Sequence, residues 1–386
     1  MIKRELSELC LQFFKQYPVI TITGPRQSGK TTLAKSVFPD LPYVNLEEPD
    51  SRRLAIEDPR GFLAEFNNGV ILDEIQRAPE IPSYIQSIVD RNKKNGMFVL
   101  TGSQQFEVSQ SISQSLAGRT SLIKLLPFSM KELGFLIDVN DLNGALYRGF
   151  YPKLYNENVD PSHFYMNYFE TYIQRDLRQL SQIDDLMLFE KFVRLLAGRI
   201  GQLVNYNSLA NDLGLSQPTL KKWLRLLEAS YLVFLLQPFY RNLNKRFIKT
   251  PKIYFYDVGL AAYLLGIETT AHIKNHPLRG NLFENLVVAE CLKNRFNQAK
   301  LSNLYFFRDR TGNEVDMIFE CARHLVPVEI KASETMNMDY SKGLKFFRTL
   351  FPEEVKTGYI VYAGSQKKRV KNEIFLPLDC LSDLMS

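Results

Sequence analysis

The stretch Thr23-Gly24-Pro25-Arg26-Gln27-Ser28-Gly29-Lys30-Thr31-Thr32 decides the fold of this chain. It contains the pattern G-x-x-x-x-G-K-S/T, in which a glycine-rich turn arranges backbone N–H groups around a phosphate. The apolar run at residues 18–22 predicts a buried parallel strand before the turn, and residues 31–38 predict a helix after it. This order of strand, turn and helix is the context that a phosphate-binding loop needs. A glycine-rich turn that only caps a helix is the alternative.

The predicted roles of the loop residues follow from their chemistry. Gly24 and Gly29 allow the backbone to wrap closely, so that N–H groups and the helix N-terminus point at the β-phosphate. Lys30 is expected to reach the β- and γ-oxygens, and Thr31 to offer its hydroxyl to Mg²⁺. We therefore predict that ATP and Mg²⁺ are bound at Gly24, Pro25, Arg26, Gln27, Ser28, Gly29, Lys30, Thr31 and Thr32.

The whole chain has the composition of an ordinary globular protein. Its 386 residues are enough for two or three domains, and 45% of them are hydrophobic and 23% charged. It has no apolar run long enough to cross a membrane, and residues 1–6 lack the apolar core of a signal peptide, so we expect a cytoplasmic protein. The net charge of +6 permits binding of nucleic acid and equally suits a soluble surface. Neither a disulfide framework nor a zinc site is indicated by the spacing of the four histidines and of Cys10, Cys291, Cys321 and Cys380.

A second predicted strand, at residues 69–76, ends in two carboxylates. Asp73 at the carboxyl end of a parallel strand beside the loop is suited to hold Mg²⁺ through water. Glu74 is suited to polarise the attacking water. An acidic strand end without a catalytic role is common, and only the phosphate loop before it favours the catalytic interpretation.

A third strong strand, at residues 97–105, ends in small polar residues. Either Thr101 or Ser103 is expected to hydrogen-bond the γ-phosphate or to position the water. The loop, the acidic strand and this strand together resemble the AAA-type ATPases, in which a polar sensor residue follows the strand after the acidic one. The resemblance assigns the sensor role to Ser103.

Further short stretches resemble one bacterial and archaeal subgroup of these ATPases. Residues 115–120 resemble its Gly-Arg element, which implies that Arg119 meets the γ-phosphate in cis or from a neighbouring subunit, with a surface arginine as the alternative. Arg175 is a candidate second sensor, although a salt bridge on a helix surface explains it equally well. Members of the subgroup carry a C-terminal domain of unknown function. The other stretches that carry the resemblance are residues 126–132, 149–152 and 172–177.

The middle of the chain predicts two short helices and a hairpin, and it resembles a winged helix. The second helix begins at Ser216, a good N-cap residue, and its apolar stripe is Leu220, Trp223, Leu224 and Leu227. DNA contact and a purely structural or partner-binding role both remain open. The side chains expected to face a DNA major groove are Gln217, Thr219, Lys221, Lys222 and Arg225, with Arg241, Lys245, Arg246 and Lys249 forming a basic wing.

The last third of the chain contains a Glu, an Asp and a Glu-x-Lys in an order that resembles the PD-(D/E)XK nuclease fold. Glu329 and Lys331 lie two apart on a predicted strand and therefore share one face. The resemblance implies a divalent-metal site at Asp316 and Glu329, with Glu284 as a further ligand and Lys331 orienting the water. Val315 stands where the motif has proline. A scaffold without cleavage activity, or a strand with paired charges, is the alternative.

The sequence thus predicts an α/β protein that binds and hydrolyses ATP with Mg²⁺. Its expected partners are double-stranded DNA or a protein, with no membrane and an open oligomeric state. The alternatives are a nucleotide-gated, metal-dependent DNA nuclease and a non-hydrolysing nucleotide-dependent switch. The predicted domains are an AAA-type domain at 1–135, a helical lid at 136–185, a winged helix at 186–260 and a nuclease-like domain at 261–386.

Overall fold

The computed structural model describes residues 2–103, 115–138, 141–157, 159–176, 185–239 and 249–384. Three residues of the predicted basic wing, Arg241, Lys245 and Arg246, lie outside the described residues. For Arg175 the structure describes the backbone and not the side chain. The predictions made for these four residues therefore stay predictions.

The N-terminal part is a five-stranded sheet in the order β2-β3-β4-β1-β5, in which every pair of neighbours is parallel. Its central strands are apolar and fully buried, as expected when helices cover both faces of a parallel sheet. The carboxyl ends of all five strands lie at one edge. The strands are Val19–Thr23 (β1), Tyr43–Asn45 (β2), Val70–Asp73 (β3), Phe98–Gly102 (β4) and Thr120–Lys124 (β5).

Helices on the two faces of this sheet form separate cores. One core contains Cys10, Ile20 and Leu33, and the other contains Leu72 and Ile85. An amphipathic helix, Leu6–Gln16, lies near the N-terminus and buries Leu6 and Cys10. The helices here are Leu6–Gln16 (α1), Lys30–Val37 (α2), Pro49–Glu57 (α3), Pro59–Ala64 (α4), Ile81–Asn92 (α5) and Met130–Leu133 (α6).

A helical region follows, and the predicted hairpin closes it. The hairpin strands Val233–Pro238 (β6) and Lys252–Phe255 (β7) are antiparallel, with Val233 opposite Phe255. The π-helix Phe169–Asp176 continues directly from α9. The helices are Leu142–Arg148 (α7), Lys153–Asn156 (α8), Pro161–Tyr168 (α9), Leu186–Ala197 (α10), Tyr206–Leu213 (α11), Gln217–Ala229 (α12), Val258–Leu264 (α13) and Thr270–Asn275 (α14).

The hairpin belongs to the same sheet as the C-terminal strands, because β6 also pairs in parallel with β8. The order of this eight-stranded sheet is β12-β13-β11-β10-β9-β8-β6-β7. The predicted domain boundary after residue 260 therefore separates β6 and β7 from strands that belong to the same sheet. The remaining elements are the helices Arg279–Asn297 (α15) and Lys342–Leu350 (α16) and the strands Leu304–Arg308 (β8), Glu314–Cys321 (β9), His324–Lys331 (β10), Gly358–Tyr362 (β11), Lys368–Val370 (β12) and Glu373–Pro377 (β13).

Gly149 and the residues after it connect the helical region to the hairpin. The backbone N–H of Phe150 donates to the Asp257 carboxylate at 2.7 Å, and the Tyr165 hydroxyl donates to the same carboxylate at 2.6 Å. A Cβ on Gly149 would lie 2.1 Å from the Tyr165 oxygen, so only glycine fits. This close packing accounts for the stretch Gly149-Phe150-Tyr151-Pro152 without a catalytic role.

Helix α15 docks the C-terminal part onto the N-terminal part. The Lys293 ammonium donates to the Phe128 carbonyl at 2.9 Å, and the Glu290 carboxylate accepts from the Met130 N–H at 2.7 Å. Glu290 and Lys293 also pair with each other at 2.7 Å, and both are buried. Within the described parts of the chain, no helix is long and apolar enough to cross a membrane.

Candidate nucleotide site

The glycine-rich turn follows β1 at the edge where the parallel strands end. Gly24 has a φ of +155°, and a Cβ at this position would lie 2.0 Å from the Leu125 carbonyl oxygen. Gly29 has a φ of +92° and directly precedes α2. The turn therefore requires glycine at Gly24 for space and at Gly29 for backbone conformation.

Lys30 lies at the start of α2, and its ammonium is buried inside the turn. It donates to the carbonyls of Pro25 at 2.8 Å and Gly24 at 3.1 Å. Burial lowers the pKa of this ammonium, while the nearby carboxylates of Glu74 and Asp73 oppose that shift. The predicted contact of Lys30 with the β- and γ-phosphate oxygens stays a prediction.

Asp73 at the end of β3 is the centre of a network of hydroxyl groups. Its carboxylate accepts from Thr31 at 2.8 Å, from Tyr43 at 2.7 Å and from Thr101. Thr31 is the residue after the loop lysine, so the loop and the acidic strand meet as predicted. A carboxylate and a hydroxyl side by side are hard oxygen ligands of the type that Mg²⁺ prefers, so these residues fit the ion.

Glu74 stands next to Asp73 in a left-handed backbone conformation with a φ of +57°. This turn directs its carboxylate away from Asp73 and toward Ser103, whose hydroxyl donates to it at 3.0 Å. The Gln76 amide donates to the same carboxylate and to the Ser103 oxygen. Thr101, in β4, therefore supports Asp73, and Ser103, directly after β4, supports Glu74.

Three residues near the loop were not predicted from the sequence. Arg4 donates to the Ser28 carbonyl at 2.8 Å and to the Leu126 carbonyl at 2.7 Å, so it ties the loop to the segment after β5. Gln76 orients the Glu74 carboxylate. Its position two residues after Glu74 is the one feature of the sequence that could have indicated this role. Tyr43 holds Asp73 from β2, but nothing in the sequence distinguished it from a core tyrosine.

Arg26 and Ser28 show two further features of the loop. The Arg26 guanidinium carbon lies 5.5 Å from the Tyr172 ring centroid, and a guanidinium nitrogen lies 3.5 Å from the Glu47 carboxylate. The Ser28 hydroxyl is buried and has no hydrogen-bond partner among the described residues. A polar atom buried in this way in a phosphate loop fits a site that takes a polar ligand.

A cavity of about 390 Å³ opens beside the loop, and its lining is mostly apolar. It touches the loop at Gly29 and Thr32. Asn156 is a polar residue of the lining. The cavity also borders α1, α2 and the two residues Phe128 and Pro152.

Arg119 lies at the opposite edge of the sheet from the loop. It immediately precedes β5, and the first residue of β5, Thr120, is paired with Val19 at the start of β1. The Arg119 guanidinium donates two hydrogen bonds to Asp90, at 2.6 and 2.8 Å. The loop follows the other end of β1, so about 13 Å of strand separates Arg119 from the loop. Arg119 therefore lies away from the loop of its own chain, and its predicted role at the γ-phosphate, in cis or from a neighbouring subunit, stays a prediction.

Comparisons with known proteins place the chain among its relatives. An uncharacterized protein of Mycobacterium tuberculosis is 31% identical over 328 residues, which cover 84% of this chain and 72% of that protein. A protein of Mycobacterium bovis matches to the same extent. The chain belongs to the same family as these mycobacterial proteins. An uncharacterized protein of Haemophilus influenzae is 24% identical over 93% of this chain and 94% of its own length.

Three family models match successive parts of the chain. Residues 16–134 match a model described as an AAA domain. Residues 139–271 and 279–381 match two domains of unknown function, DUF8612 and DUF4143. The N-terminal part is therefore an AAA domain, which is the P-loop ATPase fold that the sequence predicted.

Two solved structures overlap with this chain at low similarity. A Walker-type ATPase of Pyrococcus abyssi is 15% identical, with a TM-score of 0.44, and the match covers 68% of this chain and 96% of that one. AMPPCP-bound DnaA from Aquifex aeolicus is 14% identical, with a TM-score of 0.30, over 58% of this chain and 86% of its own.

In the DUF4143 region, the predicted metal ligands lie around two lysines. Lys331 pairs with Glu329 at 2.6 Å and with Asp316 at 3.3 Å. Lys252, from β7, pairs with Glu314 at 2.6 Å and with Glu284 at 3.2 Å. The side chains do converge on one polar cavity of about 690 Å³.

The carboxylate of Glu284 has a further partner in this cluster. It accepts from the Tyr254 hydroxyl at 2.5 Å, and it lies close to Gly201. Among the described residues, no three carboxylate, histidine or cysteine side chains form a group that could hold a metal ion. Lys252, which the sequence did not indicate, brings a positive charge to these carboxylates. The predicted role of Glu284, Asp316 and Glu329 as metal ligands stays a prediction.

In the DUF8612 region, helix α12 has the predicted amphipathic pattern. Leu220, Trp223, Leu224 and Leu227 are buried. Ser216 caps the helix by accepting from the Thr219 N–H at 3.3 Å. Thr219 is partly buried, and the exposed side chains of the helix include Gln217, Lys221, Lys222 and Arg225, while Lys249 is exposed near the start of β7.

Proposed function

We propose that this protein binds ATP with Mg²⁺ and hydrolyses the bond to the γ-phosphate. The observation that carries the proposal is the meeting of Thr31, at the end of the phosphate loop, with Asp73, at the end of the acidic strand. The membership of residues 16–134 in the AAA domain supports it. The Thr31 hydroxyl and the Asp73 carboxylate provide oxygen ligands beside the place where the loop would hold phosphates.

Each residue has a role that its position supports. The loop N–H groups and Lys30 bind the β- and γ-phosphates, and Lys30 leaves the carbonyls of Gly24 and Pro25 when it does so. Thr31 and Asp73 would hold Mg²⁺, which neutralises phosphate charge when it is bound. Glu74 accepts a hydrogen bond from the attacking water and orients it, and Ser103 fixes the Glu74 carboxylate.

The cavity beside α2 is suited to the nucleoside. Its volume of about 390 Å³ and its apolar lining match a base and a ribose better than a further phosphate. It borders Gly29 and Thr32 on one side and α1 on the other, so the N-terminal helix would cover the base. Asn156 offers an amide donor and acceptor to the base edge.

Phosphate release from ATP tests this proposal. Wild type with Mg²⁺ is expected to turn over, Lys30→Ala to lose nucleotide binding, and Glu74→Gln to bind ATP with turnover lowered by about 100-fold or more. Glu80→Gln, an exposed carboxylate at the start of α5, is the matched control and is expected to behave as wild type. Glu74→Gln at the wild-type rate would disprove the role of Glu74, and tight binding without any turnover would favour a nucleotide-dependent switch.

We further propose that the ATPase is coupled to double-stranded DNA through α12. The exposed basic residues Lys221, Lys222 and Arg225 on this amphipathic helix favour a polyanionic partner. Duplex DNA is expected to raise the rate of phosphate release, the effect is expected to fall with salt, and Lys221→Gln with Lys222→Gln is expected to weaken it. Lys342→Gln, on the exposed start of α16, is the control. A rate that is indifferent to DNA would direct the search to a protein partner.

A further inference from the structure

A buried hydrogen bond joins the AAA domain to the DUF8612 region at the base of the phosphate loop. The Tyr231 hydroxyl and the Thr23 hydroxyl lie 2.8 Å apart, and both residues are about 1% exposed. Thr23 is the last residue of β1, and Gly24 begins the loop directly after it. A side chain from the middle of the chain therefore contacts the residue on which the loop is anchored.

Tyr231 reaches this position from an unusual backbone conformation. It has a φ of +56°, which is uncommon for a bulky residue and requires support from the surrounding structure. That support includes its N–H, which donates to the Glu228 carbonyl at 3.0 Å, and its ring, which packs on Tyr256 at 5.8 Å between centroids. The corner formed by Ser230 and Tyr231, between α12 and β6, is thus held at a defined place.

The same corner contacts the loop a second time through Tyr172. The Tyr172 hydroxyl donates to the Ser230 carbonyl at 3.3 Å, and its ring lies beneath the guanidinium of Arg26. Arg26 is in the middle of the phosphate loop. The corner at Ser230 and Tyr231 is consequently linked to the loop both at its start and at its centre.

We propose that this corner sets the position of the phosphate loop, and that Tyr231 is a positioning residue for nucleotide binding that acts through Thr23. The inference rests on the proposed function in taking an adenine nucleotide as the ligand. Since α12 leads directly into Ser230, a macromolecule that binds the exposed side of α12 is placed to change nucleotide affinity through one corner. Thr23 and Tyr231 touch no phosphate themselves.

The affinity for a fluorescent mant-ADP, measured by titration of the full chain, tests the proposal without requiring turnover. Tyr231→Phe removes one hydroxyl and keeps the ring, and it is expected to weaken mant-ADP binding about 5-fold, the equivalent of one buried hydrogen bond. Thr23→Val is expected to weaken it to a similar degree. Thr23→Val also removes the hydrogen bond from the Thr23 hydroxyl to the Ile123 carbonyl at 3.3 Å, so the double variant is expected to bind no more weakly than Thr23→Val alone.

Tyr362→Phe is the matched control. Tyr362 is equally buried, in β11 of the C-terminal sheet. Its hydroxyl donates to the Gln366 carbonyl at 2.7 Å and accepts from the Gln366 N–H at 3.0 Å, so this variant also loses the hydrogen bonds of one tyrosine hydroxyl. It is expected to lower the melting temperature as Tyr231→Phe does and to leave mant-ADP affinity unchanged. The proposal is overturned if Tyr231→Phe binds mant-ADP as wild type does, if Tyr362→Phe weakens binding equally, or if the Thr23 and Tyr231 effects add.

The proposed hydrolysis can fail independently of this inference. A wild type that binds mant-ADP but releases no phosphate disproves hydrolysis, and the double-variant result still decides the role of the corner. Lys30→Ala marks the signal expected when the site itself is lost.

Discussion

The Thr31 hydroxyl donates to the Asp73 carboxylate across 2.8 Å, and this contact joins residues that are 42 positions apart in the chain. It brings the end of the phosphate loop and the end of the acidic strand into one site. Asp73 ends β3, and the loop that leads to Thr31 begins at the end of β1. The two meet because parallel strands end at the same edge of the sheet. The magnesium chemistry of the proposed ATPase depends on this pair.

Asp73→Asn tests that dependence. The amide keeps the size of the side chain but loses the charge that would hold Mg²⁺, so turnover with saturating ATP is expected to fall on the order of 100-fold. Asp58→Asn is the control, because Asp58 caps α4 by accepting from the Gly61 N–H at 3.0 Å and Asn caps equally well. Phosphate release that is unaffected by Asp73→Asn would contradict the assignment of Asp73 to the ion.

Gly24→Ala tests the steric requirement of the loop. The added Cβ would meet the Leu125 carbonyl oxygen at 2.0 Å, so the loop must shift, and nucleotide affinity is expected to fall about 10-fold or more while the protein loses about 1–3 kcal/mol of stability. Gly280→Ala in α15 adds a methyl group with nothing within 4 Å, and it is expected to be neutral or to stabilise by about 0.5–1 kcal/mol. Thermal unfolding and mant-ADP titration of both variants give the comparison.

The nucleotide site was predictable from the sequence because its residues lie in short, local patterns. The run Gly24 to Thr32 and the pair Asp73 and Glu74 each end or follow an apolar strand, and the parallel arrangement brings such ends together. The supporting side chains were harder to find. Arg4 reaches the loop from the N-terminal segment, and its role depends on the docking of α1, which no local pattern indicates.

Two placements in the structure were not foreseen from the sequence, for different physical reasons. Arg119 immediately precedes β5, and a residue before a parallel strand lies at the edge opposite the loop; the strand at Thr120–Lys124 was not recognised, so this information was missed. Lys252 enters the carboxylate cluster from β7, and its partners Glu284 and Glu314 are 32 and 62 positions away, by subtraction of residue numbers. Contacts of this kind follow from strand register, which a single sequence does not specify.

Arg119→Ala is expected to leave turnover unchanged in dilute protein. Its guanidinium is engaged by Asp90 at the far edge of the sheet, so it has no path to the γ-phosphate of its own subunit. Phosphate release is to be measured over a range of protein concentration for wild type and the variant. A difference that grows with concentration would support the role toward a neighbouring subunit. A loss of activity that is independent of concentration would contradict the placement of Arg119.

Lys252→Met tests the charge balance of the C-terminal cavity. The substitution leaves Glu284 and Glu314 without the ammonium that they share, and the loss of one partner from a buried ion pair is expected to cost about 3–5 kcal/mol of stability. Lys342→Met removes an exposed lysine that pairs with Asp339 at 3.1 Å and is expected to cost less than about 1 kcal/mol. Denaturant unfolding of both variants measures the two losses of stability. If Lys252→Met loses no more stability than Lys342→Met, Lys252 does not balance the charge of these carboxylates.

Glu228→Gln tests a pH dependence that arises from burial on α12. Burial raises the pKa of Glu228 to about 7, and nearby Arg225 opposes the shift only in part. An unfolded chain releases this proton near the ordinary value of 4.5, so between the two values the folded state holds a proton that the unfolded state has lost. Stability from this group is therefore complete below the lower value and decreases as the pH rises toward about 7.

Because Gln stays neutral, the melting temperature of the variant relative to wild type is expected to be higher at about pH 8 than at about pH 5. The exposed Glu353→Gln is the control and is expected to show the same difference from wild type at both pH values. If Glu228→Gln behaves like Glu353→Gln, burial does not raise the pKa of Glu228.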